Sequence, residues 1–150
     1  MACVGWAAAL PLAPLAAGEA RVFAARPVLA LPYAAGALVC HRRADRSFFT
    51  RGVQWPVCGR CTGLYLSAAI GALATLLVPG AVWLRSARTA VWRAALVGAA
   101  LPTSGSWLAE RAGWVPTSLT RAWLAAPLGI AVGILIAWVA RDGWQNPVKT

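Results

Sequence analysis

Cys58-Gly-Arg-Cys61-Thr62-Gly-Leu-Tyr65-Leu-Ser-Ala-Ala-Ile-Gly-Ala-Leu-Ala-Thr-Leu-Leu-Val-Pro79-Gly80-Ala-Val-Trp-Leu84 is the stretch on which the fold turns. No residue from Thr62 to Leu84 is charged. A helix crosses the hydrocarbon core of a bilayer with about 20 apolar residues. This stretch therefore predicts a membrane helix over 62–84, closing at Pro79-Gly80 or shortly after. A Cys-x-x-Cys pair sits at its start, so whatever chemistry the thiols perform is tied to the end of that helix.

The rest of the chain has the same character. Apolar types make up 60% of the 150 residues and charged types 12%, against roughly 45–50% and roughly 25% in soluble domains. The length suits a single domain, here a membrane domain over 1–150. Further spans are expected at 2–18, 94–109 and 122–140. The first lacks a basic residue ahead of its apolar part, so a retained helix bent by Pro11 and Pro14 is favoured over a cleaved signal. In the third, Pro102 and Gly105 interrupt the run, and Thr103 and Ser104 offer hydroxyls to re-satisfy the backbone. The last contains Gly129-x-x-x-Gly133, a spacing that permits close helix approach and also arises by chance where glycine and alanine are common. Residues 27–40, broken by Pro32 and Gly36, fit an interfacial or re-entrant helix. The expected fold is all-α: a polytopic membrane protein of about four transmembrane helices, with a Cys/His-bearing loop between the first and second.

The formal net charge is +10, almost all of it from arginine, since Lys149 is the only lysine. The charges lie in short bridges between apolar runs and form no contiguous basic face. They read as interfacial arginines, and nucleic acid is not an expected partner. Nine tryptophans, mostly near the ends of apolar runs, suit the headgroup zone. The expected partner is the lipid bilayer, with a membrane complex or homo-oligomer as further partners, and the expected location is the cytoplasmic membrane of a prokaryote. Nine basic residues fall on the Cys/His side of the spans: Arg21, Arg26, Arg42, Arg43, Arg46, Arg51, Arg60, Arg111 and Arg121. Five fall opposite: Arg85, Arg88, Arg93, Arg141 and Lys149. The positive-inside rule then leans towards a cytoplasmic site.

The loop before the 62–84 helix holds Cys40, His41, Cys58 and Cys61, which include three of the four cysteines and the only histidine. Cys58-Gly-Arg-Cys61-Thr-Gly63 has the form of a zinc knuckle, in which glycines let backbone N–H groups point at the sulfurs. Cys40 and His41 are the candidates for the remaining ligands. Adjacent residues seldom both bind one ion, so the alternative is an open fourth position. Zinc is the first expectation, and Cu(I) also suits soft sulfur ligands. A thiol–disulfide role for Cys58 and Cys61 is the second reading, because helix N-terminal amides and Arg60 favour thiolate. Inert packing of small cysteines is the third, and it is the main reading for Cys3. Arg46 and Arg60 either hold an anionic ligand or headgroup or pair with Asp45, which with Arg46 would fix the loop. Tyr65 reads as an interfacial tyrosine, and Glu110 with Arg111 as an ordinary pair at a helix end. No Ser/His/Asp set, phosphate-binding glycine loop or paired-acid arrangement stands out, and no catalytic residue is assigned.

Cys40-His41, Arg46-Ser47-Phe48, Gly52 and Pro56-Val-Cys58-x-Arg60-Cys61-Thr62-Gly63-x-Tyr65 resemble the signature of domain of unknown function 2085, small membrane proteins of bacteria and archaea. The likeness extends more loosely to Pro102, Arg121, Gly129 and Gly133. Ser104-Gly105 stands where the family tends to carry Asp-Gly. The resemblance implies a polytopic membrane protein with a Cys/His motif at the membrane surface, and it implies no activity. Three functions follow from the residues: a membrane protein with a Cys/His metal site, a membrane thiol oxidoreductase, or a non-catalytic adaptor or assembly factor.

Overall fold

The computed structural model describes residues 2–17, 30–77 and 89–145. In chain order these form α1 (Ala2–Ala17), α2 (Leu31–Val39), a single 3-10 turn (Ala44–Arg46), β1 (Ser47–Thr50), β2 (Val53–Cys58), α3 (Gly59–Leu77), α4 (Thr89–Arg111) and α5 (Ser118–Gln145). Arg21, Arg26, Arg85, Arg88 and Lys149, on which the orientation tally partly rests, lie outside the described residues. So do residues 27–29 of the interfacial stretch, residues 78–84 of the expected second span, and Met1 and Gly18 at the edges of the first.

Two features correct the sequence expectation. First, the fold is not purely helical. The segment read as a polar loop contains an antiparallel hairpin, with Ser47 opposite Cys58, Phe49 opposite Gln54 and Thr50 opposite Val53. Its turn is Arg51-Gly52, at φ 52° and 78°. Positive φ at both central residues is the geometry whose twist matches two paired strands, and glycine adopts it without strain. The Trp55 indole N–H donates to Thr50 Oγ1 at 2.8 Å and so pins the two strands across the turn.

Second, four spanning helices are not present among the described residues. One helix is long and apolar enough to cross a bilayer, Ser118–Arg141 within α5, with 24 residues and mean hydropathy 2.1. The others fall short for identifiable reasons. The apolar part of α1, Cys3–Ala17, is about 22 Å long at 1.5 Å per residue, against a core of roughly 30 Å. The described part of the 62–84 stretch lies in α3, which opens on Gly59-Arg60, is described only to Leu77 and buries Thr62, Ser67 and Thr75. In α4, Arg93, Thr103, Ser104, Ser106, Glu110 and Arg111 dilute the apolar run. The uncharged sequence windows overlooked how much of each helix is given to polar contacts with its neighbours.

Those contacts position the site. The most extensive interface is between α3 and α5. A Cβ added at Gly63 would run into the Ala122 carbonyl, and one at Gly133 into the Ala68 carbonyl. The Gly129-x-x-x-Gly133 spacing is thus part of a real close approach, met on α3 by glycines of its own. Arg141 Nη1 donates to the Thr75 carbonyl at 2.6 Å near one end of this pair. At the other end, Ser118 Oγ donates to the Ser47 carbonyl at 3.1 Å and ties the start of α5 to the hairpin. Pro102 does not end α4, and the Thr103 hydroxyl donates across to the Leu124 carbonyl of α5 at 2.9 Å. Strand β2 lies against α1 and α2 and buries Pro56 and Val57. Gly36 of α2 sits so near β2 that a Cβ would meet the Pro56 carbonyl oxygen, and the Tyr33 hydroxyl donates to the Gln54 carbonyl at 3.0 Å.

Candidate metal centre

Three elements each deliver one cysteine to a single point. Cys40 follows the last residue of α2, in extended conformation, its N–H still donating to the Gly36 carbonyl at 2.9 Å. Cys58 is the last residue of β2, and Cys61 lies in the first turn of α3. Their Sγ atoms all lie within 4.8 Å of one another. The Cys58 backbone N–H donates to Cys40 Sγ at 3.3 Å, the kind of amide-to-sulfur contact that stabilises a thiolate at a metal knuckle. All three thiols are free and half-buried. Together they could hold a metal ion. Cys3 is exposed on α1, away from them.

The thiols share protons unequally. A hydrogen bond from the Cys61 thiol, aided by the backbone amides of Cys61 and Arg60 and by Cys40, outweighs burial and holds Cys58 down to about 5. That same bond, with burial and the neighbouring sulfur charges behind it, keeps the proton on Cys61 and pushes its pKa up. One thiolate embraced by a retained thiol is what three crowded sulfurs do when only protons are available to them.

The other residues singled out in the sequence occupy distinct places. His41 is exposed and stands outside the three-sulfur group, although it lines the same cavity. Asp45 is exposed and pairs with Arg43 at 3.2 Å and with Arg46 at 3.6 Å. Tyr65 packs edge-on against Trp6 of α1, ring centroids 5.9 Å apart. Burial raises its hydroxyl pKa, and the nearby sulfur charges add to this.

A second cluster was not assembled from the sequence. Glu110, at the end of α4, receives Arg60 at 2.7 Å, Arg121 at 3.0 Å and Arg46 at 3.2 Å. Arg60 also donates to Ser106 Oγ at 3.0 Å. The Glu110 and Arg121 side chains are 6% and 4% exposed, so one carboxylate serves three guanidinium groups from three elements in a largely dry setting. A signal for this was available: the chain has only four acidic residues, and a lone carboxylate closing an apolar helix must find a cation. Arg111, its sequence neighbour, instead lies over the Trp107 ring at 4.4 Å.

This cluster sets a pH dependence. Burial alone would raise the Glu110 pKa, but the Arg121 hydrogen bond and the charges of Arg60, Arg121 and Arg46 outweigh it and hold the carboxyl below 4.5. The unfolded chain therefore binds this proton first as pH falls. The stabilisation is complete above about 4.5 and is lost as pH drops through the folded value. Unfolding temperatures measured from pH 6 down to pH 3 are expected to fall more steeply in wild type than in Glu110→Gln, which has no carboxyl to titrate.

Sulfurs and arginines open on one cavity of about 520 Å³, lined by Cys40, His41, Cys58 and Cys61 together with Trp107 and five arginines. Residues 40–139 match the family described as Predicted membrane protein (DUF2085). The chain belongs to that family. Among its relatives, an uncharacterized protein of Methanothermobacter thermautotrophicus is 49% identical over 41 residues, 27% of this chain and 37% of its own. An uncharacterized protein of Methanocaldococcus jannaschii is 44% identical over 39 residues, 26% of this chain and 25% of its own. The chain thus spans well under half the length of either relative. No solved structure matches it. Membership accounts for the sequence resemblance and agrees with one helix fit to span a bilayer. It names no reaction.

Proposed function

We propose that this DUF2085 protein is an integral membrane protein carrying a three-thiolate metal centre, zinc first, at the edge of its helical bundle. The observation that carries this reading is the meeting of Cys40, Cys58 and Cys61 within 4.8 Å, although Cys40 is 18 residues from Cys58. Three thiolates bound to one tetrahedral zinc at about 2.3 Å have sulfurs about 3.8 Å apart, so little movement separates this arrangement from a metal-bound one. The cavity that these cysteines and His41 line would leave the fourth position to His41, water or a ligand. Three protein ligands with one open position is the pattern of working rather than purely structural zinc sites.

A bilayer setting is supported by the family and by the molecule's surface. Leu12, Leu38, Ile70, Leu101, Trp123 and Ile136, among others, are exposed on all five helices, more apolar surface than a water-soluble monomer leaves open. We place it in the cytoplasmic membrane of a prokaryote, as its archaeal relatives suggest.

The test is metal analysis of the full chain, purified anaerobically in detergent. About one zinc per chain is expected in wild type and in Cys3→Ser, and none in Cys58→Ser. His41→Ala decides the fourth ligand: retained metal assigns that position to the cavity, and lost metal assigns it to His41. A specific observation favours one other reading. Cys58 and Cys61 hold their sulfurs within 4.8 Å of each other at a helix start, the arrangement of a dithiol redox pair. A metal-free protein that reversibly forms a Cys58–Cys61 disulfide would replace the metal reading with that one.

A further inference from the structure

The cavity beside the sulfurs has a second character that the metal reading does not use. Arg42, Arg43, Arg46, Arg60 and Arg121 all line it. Among the described residues, the carboxylates paired with these arginines are Asp45 and Glu110. Arg121 is 3% exposed, yet among the described residues its Nη1 has no hydrogen-bond partner. Arg42 Nε and Arg60 Nε are likewise buried without one. Buried guanidinium N–H groups are normally all satisfied, because each unmade bond forfeits the hydration it lost. Here three arginines, from the segment after α2, from α3 and from α5, each have such a donor among the described residues, and all three line one cavity.

The charge balance points the same way. Five guanidinium groups against two carboxylates leave an excess of positive charge, and three thiolates on a divalent ion would remove only one unit of it. Low-dielectric walls strengthen the field inside such a cavity. Guanidinium forks match the oxygens of phosphate groups in pairs, which an ammonium group cannot do. About 520 Å³ also lies within the usual size range of small-molecule sites, about 300–1,000 Å³. Holding the arginines apart is the task of Glu110. It pins one face of Arg46, Arg60 and Arg121, and so directs their remaining donors elsewhere.

We propose that the cavity between the three cysteines and the Arg46–Arg60–Arg121 cluster binds a phosphate group, carried either by a lipid headgroup or by a soluble phosphate. The site goes beyond the metal centre and does not depend on it. Arg121, which is buried, supplies the driest donors, and Arg42, Arg46 and Arg60 are half-buried.

The test uses the full chain in an uncharged detergent, titrated calorimetrically with inorganic phosphate at low ionic strength and constant chloride. Saturable binding is expected, at least tenfold weaker in Arg46→Gln and in Arg42→Gln. Arg93→Gln, an exposed arginine on α4 away from the cavity, should bind as wild type does. Arg46 and Arg42 are chosen because Arg121→Gln risks misfolding. A parallel titration uses phosphatidylglycerol and phosphatidylcholine micelles. Binding of phosphatidylglycerol without inorganic phosphate assigns the site to a lipid headgroup, and binding of inorganic phosphate assigns it to a soluble phosphate. Repeating the phosphate and phosphatidylglycerol titrations on Cys58→Ser separates the two sites: binding should survive loss of the metal. The proposal is overturned if neither ligand binds, or if Arg46→Gln and Arg42→Gln bind as tightly as Arg93→Gln.

Discussion

Glu110→Ala is expected to destabilise the protein by about 3–5 kcal/mol, the cost of removing one partner from a buried ion cluster. The magnitude follows from what is left behind. Arg121, with a side chain 4% exposed, and Arg60, 21% exposed, lose their shared carboxylate and have little water to replace it. Three like charges then face one another across a cavity already rich in arginine. Arg46→Ala is the contrast. Its side chain is 36% exposed, and exposed pairs contribute roughly 0–1 kcal/mol. Unfolding in detergent, followed by circular dichroism, should place the Glu110→Ala midpoint about 6–20 °C below wild type, at roughly 2–4 °C per kcal/mol for a chain of this size. Arg46→Ala should stay within a few degrees of wild type. Equal shifts for the two variants would show that the cluster is solvated rather than buried.

Gly63→Ala is expected to cost about 3 kcal/mol, the upper end of what added methyl groups cost in packed interiors. The new Cβ would meet the Ala122 carbonyl, which belongs to the backbone of α5 and cannot rotate aside. The helices must part, and the interface they share is the largest in the described structure. Gly98→Ala in α4 supplies the control. Nothing lies within 4 Å of its Cβ position, and alanine is better than glycine in a helix by about 1 kcal/mol, so this change should stabilise slightly. Because Gly63 is two residues from Cys61, parting α3 from α5 should also reduce zinc content in Gly63→Ala, while Gly98→Ala keeps it. Opposite signs for the same substitution on two helices would locate the tight seam between α3 and α5.

Part of the hairpin could have been read from the chain. Phe48-Phe49-Thr50 and Val53-Gln54-Trp55 are runs mostly of aromatic or β-branched residues on either side of Arg51-Gly52, a two-residue turn with glycine in second place. Each run is too short for its periodicity to speak, and the surrounding cysteines drew the segment towards a metal loop. Pro56 also argues against a strand, but in a two-stranded sheet each strand has a free edge where proline is tolerated. The error over membrane spans had a different origin. Absence of charge marks a helix that avoids water, and burial against another helix satisfies that as well as lipid does. Thr62, Ser67 and Thr75 are uncharged and yet belong to a protein-facing surface.

The sequence by itself determined the helices, because their apolar runs and the prolines and glycines near their ends are local properties. It also determined that Cys58 and Cys61 lie close together, since two cysteines three positions apart at a helix start have little room to separate. Tertiary structure alone decided which residues complete the site. Cys40 reaches Cys58 because α2 packs on β2 at Gly36. His41, next along the chain, stays outside the three-sulfur group but lines the same cavity. Arg60 meets Glu110 across 50 residues because α4 and α3 both pack against α5. No spacing rule spans that distance, and only the packed bundle brings the two charges together.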